Sequence, residues 1–422
     1  MAAPDDAPAA PTPPTGPSPR ALIGVVSAGI FVTGFGWPGI IGYLPINLML
    51  KNQLHLTASD VTWFWSFATI AWYFKPFIGF ACDAYPLYGT RHRGYLLAGS
   101  ALAGLFWLML AVVPRRYLPL MAVMTALNLS MAVVSTVVGG LQVEVSQRQG
   151  ATGRLASLRT GLEGVMSLLG GPIGGWLAVV AFAWTAISGS AVLLAFVPVV
   201  AWLYREPRGA AVDRQVWTSV RTHLRTIFRS RAMWGATGLL FLVYLAPGFG
   251  TPMLYYQQDI LKFDPRLMGY LQFLNGAGGI LGAAAYGYIC RRLPLKTTLV
   301  AGIAIGAAVT LLYLRYDSAA HAVMIDTASG FVTSLAALPI YDLAARATPR
   351  GVEGFGFGLM ISIRNIAVYV ISNPLGAYLY DHQHMTLRQL VWLNAGSSAA
   401  VLLFVPLLPA ALLAAREESR AG

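Results

Sequence analysis

The sequence predicts an all-α polytopic membrane protein, with twelve transmembrane helices in two pseudo-symmetric six-helix bundles. Three observations carry that expectation. The chain of 422 residues is 56% hydrophobic and only 11% charged, whereas soluble domains carry about 25% charged residues. Apolar runs of the roughly 20 residues needed to cross a hydrocarbon core follow one another along almost its whole length. Finally, Gly79–Leu87 recurs as Gly287–Leu295, an offset close to half the chain. Two further pairs keep the same order: Pro172–Leu177 with Pro374–Leu379, and Pro45–Leu54 with Pro252–Leu261. Ordered matches at nearly constant offset mark a tandem duplication.

The first six spans are expected near 21–48, 58–80, 94–113, 117–141, 155–178 and 183–204, and the second six near 233–256, 266–289, 297–314, 321–343, 355–379 and 389–413. The paired segments then fall on spans one and seven, two and eight, and five and eleven, as a duplication requires. Residues 1–20 are Pro- and Ala-rich without a basic n-region, so they read as a disordered cytoplasmic tail and not as a signal peptide. Residues 414–422 form a second tail. Between the bundles at 21–204 and 232–413 lies a stretch, 205–231, with seven Arg set against Glu206 and Asp213. Val216, Val220, Leu224, Ile227 and Phe228 recur there at helical spacing, which predicts a basic amphipathic helix on the inner membrane surface. Glycines crowd spans five and eight, where small residues let helix backbones approach closely.

Basic residues give the orientation. With both termini cytoplasmic, the inner segments hold 20 Lys and Arg, Lys75 counted among them, and the outer loops 7. That bias favours N and C termini inside. The net charge of +12 is spread over every inner loop, so nucleic-acid binding does not fit. The only cysteines, Cys82 and Cys290, sit at the inner ends of equivalent spans without metal-ligand company and read as packing residues. All six His lie at loops or span ends, and neither a Walker motif nor a Ser-His-Asp constellation occurs. A membrane-embedded enzyme and a non-transporting receptor are therefore remote alternatives. No cofactor or metal is expected.

The run Lys75–Arg93 carries Gly79, then Asp83, then Gly89 and the basic Arg91 and Arg93. It resembles the loop between spans two and three of the major facilitator superfamily. Its longer spacer, Pro86-Leu87-Tyr88-Gly89, is similar to that of the folate–biopterin transporter family. Leu141–Glu144 followed by Gly153-Arg154-Leu155, Cys290–Lys296, and Pro349–Gly354 with Ser362-Ile363-Arg364-Asn365 resemble other connections of the same family. These segments extend from about residue 40 to 380. The resemblance implies the major facilitator fold and a secondary active or facilitative transporter working by alternating access on folate- or pterin-like solutes, with proton coupling as an option. The family usually carries acidic residues inside span four. Here the matching stretch Ser135–Gly140 holds no carboxylate, which keeps another organic anion, a sugar or a drug-like solute open. Expected partners are the solute and the lipid bilayer, for a monomer in a bacterial inner (plasma) membrane.

Ionisable side chains inside a membrane cost about 2.5–3.5 kcal/mol each on insertion scales, so each needs a reason. Arg364 lies roughly 14 Å into span eleven at the helical rise, where its fork suits a carboxylate or phosphate on a solute, or an interhelical salt bridge. Asn365 follows it but points about 100° away, so it need not share the same cavity. Arg159 and Glu163 stand four apart in span five and can pair. Arg159 is a second substrate candidate, and Glu163 reads either as a structural partner or as a proton carrier whose protonation switches between states. Asp326, shallow in span ten, is the other coupling candidate or a solvated acid. At the inner face, Asp83 with Arg91 and Arg93, Glu144 with Arg148, and Asp342 with Arg346 read as state-dependent gate pairs or as static anchors, Asp83 lying near a helix N-terminus. Trp63, Trp65, Trp72 and Tyr73 are expected mainly as belt and packing aromatics.

Overall fold

A computed structural model describes residues 19–149, 152–207, 209, 212, 215–290, 292–349 and 352–408. Residues of both expected tails, and Arg350 of the resembling segment, lie outside them. The first half consists of α1 (Pro19–Phe35) and α2 (Tyr43–Leu54), α3 (Ala58–Ala68) and α4 (Lys75–Ala84), α5 (Arg93–Val112), α6 (Tyr117–Gln149), α7 (Thr152–Leu177) and α8 (Phe182–Leu203). A connecting helix α9 (Gln215–Arg229) leads to α10 (Arg231–Leu245) and α11 (Gly250–Asp259), α12 (Pro265–Ile289), α13 (Leu295–Thr310) and α14 (Ala319–Ala347). The chain continues through α15 (Glu353–Ile366), a π-helical turn at Ala367–Ser372, α16 (Asn373–Asp381) and α17 (Leu387–Ala400). Every expected span thus has a helical counterpart among the described residues. Eight of these segments are long and apolar enough to cross a membrane, which makes the chain an integral membrane protein. The other four expected spans are one and two, which are broken, and the glycine-rich spans five and eight.

The breaks are the departure from the expected continuous helices. Span one opens between Phe35 and Tyr43, at Gly36-Trp37-Pro38-Gly39, and span seven opens at Ala246-Pro247-Gly248-Phe249. Proline has no N–H to donate, and its ring clashes with the preceding turn. In hydrocarbon the freed carbonyls must find partners inside the protein. They do. Trp107 Nε1 donates to Gly36 O at 2.9 Å, Ser372 Oγ to Ala246 O at 2.6 Å, and Asn394 Nδ2 to Pro247 O at 2.9 Å. Spans seven and eleven come so close here that the Gly248 carbonyl leaves no room for a Cβ at Gly376.

Span two is interrupted by a 3₁₀ turn at Ile70–Tyr73, and span eleven by its π turn. The widened π turn leaves carbonyls outside the helical ladder, and the Tyr369 carbonyl accepts a hydrogen bond from Ser66 Oγ of span two. The Pro-Leu-Tyr-Gly spacer forms a tight turn: Leu87 and Thr90 exchange backbone bonds of 3.0 and 3.1 Å, with positive φ at Tyr88 and Gly89, the geometry of a primed turn that glycine supports at its second central position.

The first half has one large core, centred on Trp107, Phe64 and Phe196. The second half is held by two smaller clusters, one around Leu240, Leu299 and Leu343 and one around Leu271, Ala322 and Val391. Between the halves runs a seam of spans two and eleven on one side and spans five and eight on the other. The expected role of glycine shows in span five against span eight: Gly171 abuts the Gly269 carbonyl, and Gly175 lies against Pro265 and Gly269. The seam closes at that end and loosens toward the other, where a Cβ on Gly161 or Gly287 would meet nothing within 4 Å among the described residues.

Gly376→Ala should therefore lower the thermal unfolding temperature of the purified protein in detergent, at a cost of about 1–3 kcal/mol for overpacking. Gly287→Ala, at an open position, should leave it unchanged. Equal behaviour of the two variants would remove the close approach of spans seven and eleven as a stability determinant.

Candidate functional site

The broken helices surround a cavity of about 320 Å³ between the halves. Spans one, two, four and five supply one wall through Thr33, Trp37, Thr69, Trp72, Lys75, Ser135, Arg159, Glu163 and Met166, and span eleven the other through Arg364, Asn365 and Tyr369. Two indoles are fixed in place. Trp37 Nε1 and Trp72 Nε1 both donate to Asn128 Oδ1, at 3.0 and 2.9 Å, and Asn128 Nδ2 donates to Met124 O at 3.0 Å. The rings stand edge to face, 6.0 Å apart at 65°. An indole N–H can only donate, so this shared acceptor decides the orientation of both rings.

Charge in the cavity is unbalanced. Among the described residues, Lys75, Arg159 and Arg364 line it together with one carboxylate, Glu163. Lys75 Nζ donates to Ser135 Oγ at 2.9 Å and lies over the Trp72 ring at 5.1 Å. Arg364 lies over the Tyr244 ring at 4.6 Å and donates through Nη1 to Asn365 Oδ1 at 3.1 Å, while its buried Nε has no partner among the described residues. Among the described residues neither cation pairs with a carboxylate. Arg159 does: its Nε donates to Glu163 Oε1 at 2.8 Å, and its Nη1 to Gln142 Oε1 at 3.1 Å. Unpaired cations in a low-dielectric seam favour an anion that brings its own charge.

The structure brings four sequence candidates, Arg364, Asn365, Arg159 and Glu163, into this one cavity. Asn365 belongs to it after all, because the adjacent π turn and its bond to Arg364 bring its amide to the lining. Lys75 is a correction to the inner-segment count: it starts α4 next to the break in span two and faces the cavity, not the loop. Trp72, expected as a belt or packing ring, is a wall of the site, whereas Trp65 and Tyr73 are buried and Trp63 is exposed. Trp37 gave no sequence signal beyond its place beside Pro38.

Asp326 is placed elsewhere and is not solvated. It is 9% exposed and accepts from Tyr313 Oη at 3.1 Å and Tyr316 Oη at 2.7 Å. It lines a second cavity of about 390 Å³ with Tyr43, Ser167, Gln257, Gln272 and Asn275.

The expected gate pairs lie within single halves. Asp342 takes Arg346 Nε and Nη2, both at 2.8 Å, one turn along the same helix. The helix N-terminus of α5 goes to Glu206, not to Asp83: Glu206 accepts from the backbone N–H groups of Arg91, His92 and Arg93 at 2.8–3.1 Å. Arg93 in turn reaches the carbonyl of Ala201 at the end of α8, at 3.1 Å. An anion at one helix start and a cation at the neighbouring helix end follow the backbone dipoles. Arg91 contributes its backbone, and Asp83 stays at the exposed end of α4. For Glu144 with Arg148, the Arg148 side chain lies outside the described residues.

What joins the halves at this end is aromatic. Phe77 and Phe80 of span two meet Phe355 of span eleven at 5.7 and 5.0 Å, and His223 of α9 packs against Phe80 and Phe355. At the opposite end the ties are polar. Lys51 pairs with Asp259 at 2.5 Å, Asp381 accepts from the Ser59 N–H at 2.6 Å, and Tyr255 donates to Leu56 O at 2.6 Å.

Asn128→Leu should destabilise the protein by about 2–6 kcal/mol, since two part-buried indole N–H groups lose their acceptor at about 1–3 kcal/mol each. Adding Trp37→Phe and Trp72→Phe should recover most of that loss in the same thermal unfolding assay, because donors and acceptor then vanish together.

Comparisons with known proteins agree with this architecture. The D-xylose–proton symporter superposes with a TM-score of 0.69 at 15% identity, covering 92% of this chain and 97% of that one. The nucleoside transporter NupG superposes at 0.69 with 11% identity, covering 92% and 98%. These likenesses establish the major facilitator fold. A folate-biopterin transporter of Synechocystis sp. is 26% identical over 405 residues, 88% of this chain and 79% of that protein. Folate transporter 1 of Plasmodium falciparum is 21% identical over 356 residues, 80% and 68%. The sequence model of the BT1 family matches residues 38–421, from the break in span one through the last span, and the chain belongs to the BT1 family.

Proposed function

We propose that the protein is a secondary transporter that moves folate- or pterin-like organic anions by alternating access between its two halves. One observation carries the solute class: a cavity between the halves holds more cations than carboxylates beside two indoles locked by Asn128. A flat conjugated ring with carboxylate groups matches both features. Its ring stacks on the indoles, and its carboxylates take the fork of Arg364 and the ammonium of Lys75. The names of the similar folate transporters support the same class. On this reading the protein binds and releases its solute without chemistry upon it, as a monomer in the inner membrane of a bacterium, with the α9 end cytoplasmic.

Coupling follows from the Arg159–Glu163 pair. A solute carboxylate that takes Arg159 leaves Glu163 without its cation, and a proton can take that cation's place. Solute and proton then load together. The polar ties at Lys51–Asp259 and Ser59–Asp381 close the outer end, and the rings of Phe77, Phe80 and Phe355 separate when the inner end opens. Asp342 with Arg346 and Glu206 with the start of α5 keep each half rigid during that movement.

Purified protein in liposomes should take up labelled folate and biopterin saturably, and Arg364→Ala should reduce folate uptake at least tenfold. An imposed pH gradient should drive accumulation in the wild type and lose that effect in Glu163→Gln, which should still exchange solute at equal pH. Uptake that ignores the gradient in both proteins would make the transporter facilitative. Absence of folate and pterin uptake by folded protein would overturn the solute class.

A further inference from the structure

Asp326 poses a question that the cation-rich cavity does not answer. It is a buried acid that, among the described residues, pairs with no cation. Two tyrosine hydroxyls donate to it. Gln257 Nε2 donates to Tyr316 Oη at 2.7 Å, and Tyr316 Oη lies 2.7 Å from Asp326 Oδ2. A hydroxyl that accepts from the amide has its proton left for the carboxylate, and Tyr313 Oη donates to Asp326 Oδ1 at 3.1 Å. Asp326 is therefore presented as an acceptor on both oxygens. A carboxylate has about four lone-pair positions, and the tyrosines occupy one on each oxygen. One acceptor position per oxygen is left, the arrangement that takes two parallel N–H donors. The cavity it lines adds the side-chain amides of Gln257, Gln272 and Asn275 and the hydroxyl of Ser167, and no cation.

This second cavity is placed in line with the first. Along span five, Arg159, Glu163 and Met166 face the cation-rich cavity, and Ser167, Gly170 and Gly171 face the acidic one. Along span one, Thr33, Gly34 and Trp37 are followed in the same way by Gly39, Ile40 and Tyr43. From Glu163 to Gly170 is about 10 Å of helix. The two spaces thus share two walls, are displaced by about two turns, and have opposite electrostatic demand.

We infer that the two cavities are the two ends of one elongated binding site, in which Asp326 receives the paired N–H donors of a 2-aminopyrimidinone edge while Arg364 and Lys75 receive the carboxylates at the other end of the same molecule. The inference rests on the folate–pterin reading and adds to it an orientation: the pterin edge points toward span ten, the benzoyl ring lies by the indoles, and the glutamate lies toward span eleven. A pterin without a carboxylate tail uses the Asp326 end alone.

Competition against labelled folate, on the full-length protein in nanodiscs, tests the assignment with folate, biopterin and p-aminobenzoylglutamate as probes. Asp326→Asn should weaken biopterin and folate roughly tenfold or more, the loss of a charge-assisted pair, and leave p-aminobenzoylglutamate within about twofold. Retained binding of that last probe also shows that the variant is folded. Arg364→Gln should do the reverse, weakening folate and p-aminobenzoylglutamate and sparing biopterin. A test without any substitution compares, on the wild type, a pterin bearing the 2-amino group with its 2-methyl analogue: the methyl compound should bind roughly tenfold worse, and Asp326→Asn should erase the difference. Equal weakening of all three probes by Asp326→Asn, or equal binding of the 2-amino and 2-methyl pterins by the wild type, would overturn the orientation and leave the solute class standing. A wild type that binds none of the probes would overturn the solute class and the orientation with it.

Discussion

The constraint on which the site depends is that backbone polar groups inside a bilayer must find partners within the protein. Four spans lose regular α-helix near the seam, and in three of them a side chain takes up the freed group. Trp107 and Ser372 meet the carbonyls at the breaks in spans one and seven, and Asn394 meets the carbonyl of Pro247. Ser66 takes the carbonyl that the π turn of span eleven releases. Without these partners each break would cost several kcal/mol, and continuous helices would fill the seam. With them, Trp37 and Tyr369 are set at positions that a straight helix would turn elsewhere. Irregular backbone is here the means by which a bundle of apolar helices acquires a polar interior.

That interior is arranged by a few fixed donors and acceptors, not by many. Asn128 orients two indoles with one oxygen, and Ser135 holds Lys75 where the span-four stretch Ser135–Gly140 lacks an acid. A carboxylate at that place would neutralise Lys75. A hydroxyl orients the ammonium and leaves its charge available. Arg364 is treated alike, held by Asn365 and the face of Tyr244, both neutral. Only Arg159 has a carboxylate to exchange. The cavity therefore combines cations that can attract an anion with one ion pair that can respond to it.

The sequence announced the larger pattern well, because hydropathy and repetition are properties of the chain itself. The helical spans follow from counting residues. Other features depend on what stands opposite. Lys75 lies beside Pro76 near the expected end of span two, so charge counting placed it on the inner face; only the interruption at Ile70–Tyr73 and the hydroxyl of Ser135 keep it in the seam. Asp326 looked shallow because its protection comes from Tyr313 and Tyr316 on the preceding span. Glu206 drew no functional reading, since nothing in its own surroundings marks it as the anion for α5. The acid-to-Arg spacing of Asp342 and Arg346 was legible as a pair, but spacing alone could not tell that the pair stays within one helix.

The duplication also bears on how the end opposite α9 closes. Lys51 and Asp259 lie one residue away from equivalence, since the paired segments Pro45–Leu54 and Pro252–Leu261 set Lys51 against Gln258, the neighbour of Asp259. They stand in the closing turns of α2 and α11, the corresponding helices of the two halves. In a pair related by a two-fold axis, a residue near the axis faces the turn that holds its own counterpart. Two identical halves would therefore place like charges against each other at such a position, and the end would be driven open. Opposite charges there convert the same geometry into a tie. The pairing has a local reason as well: a lysine suits the negative end of α2, whereas an aspartate opposes that of α11 and gains from the cation set against it. A half-exposed ion pair of this kind is worth little, about 0–1 kcal/mol, which is the right order for a contact that must form and break in every cycle. The seam of Gly171, Gly175 and Gly269 supplies the rest of the closure through packing, and packing between smooth helix faces can be undone without leaving charge behind.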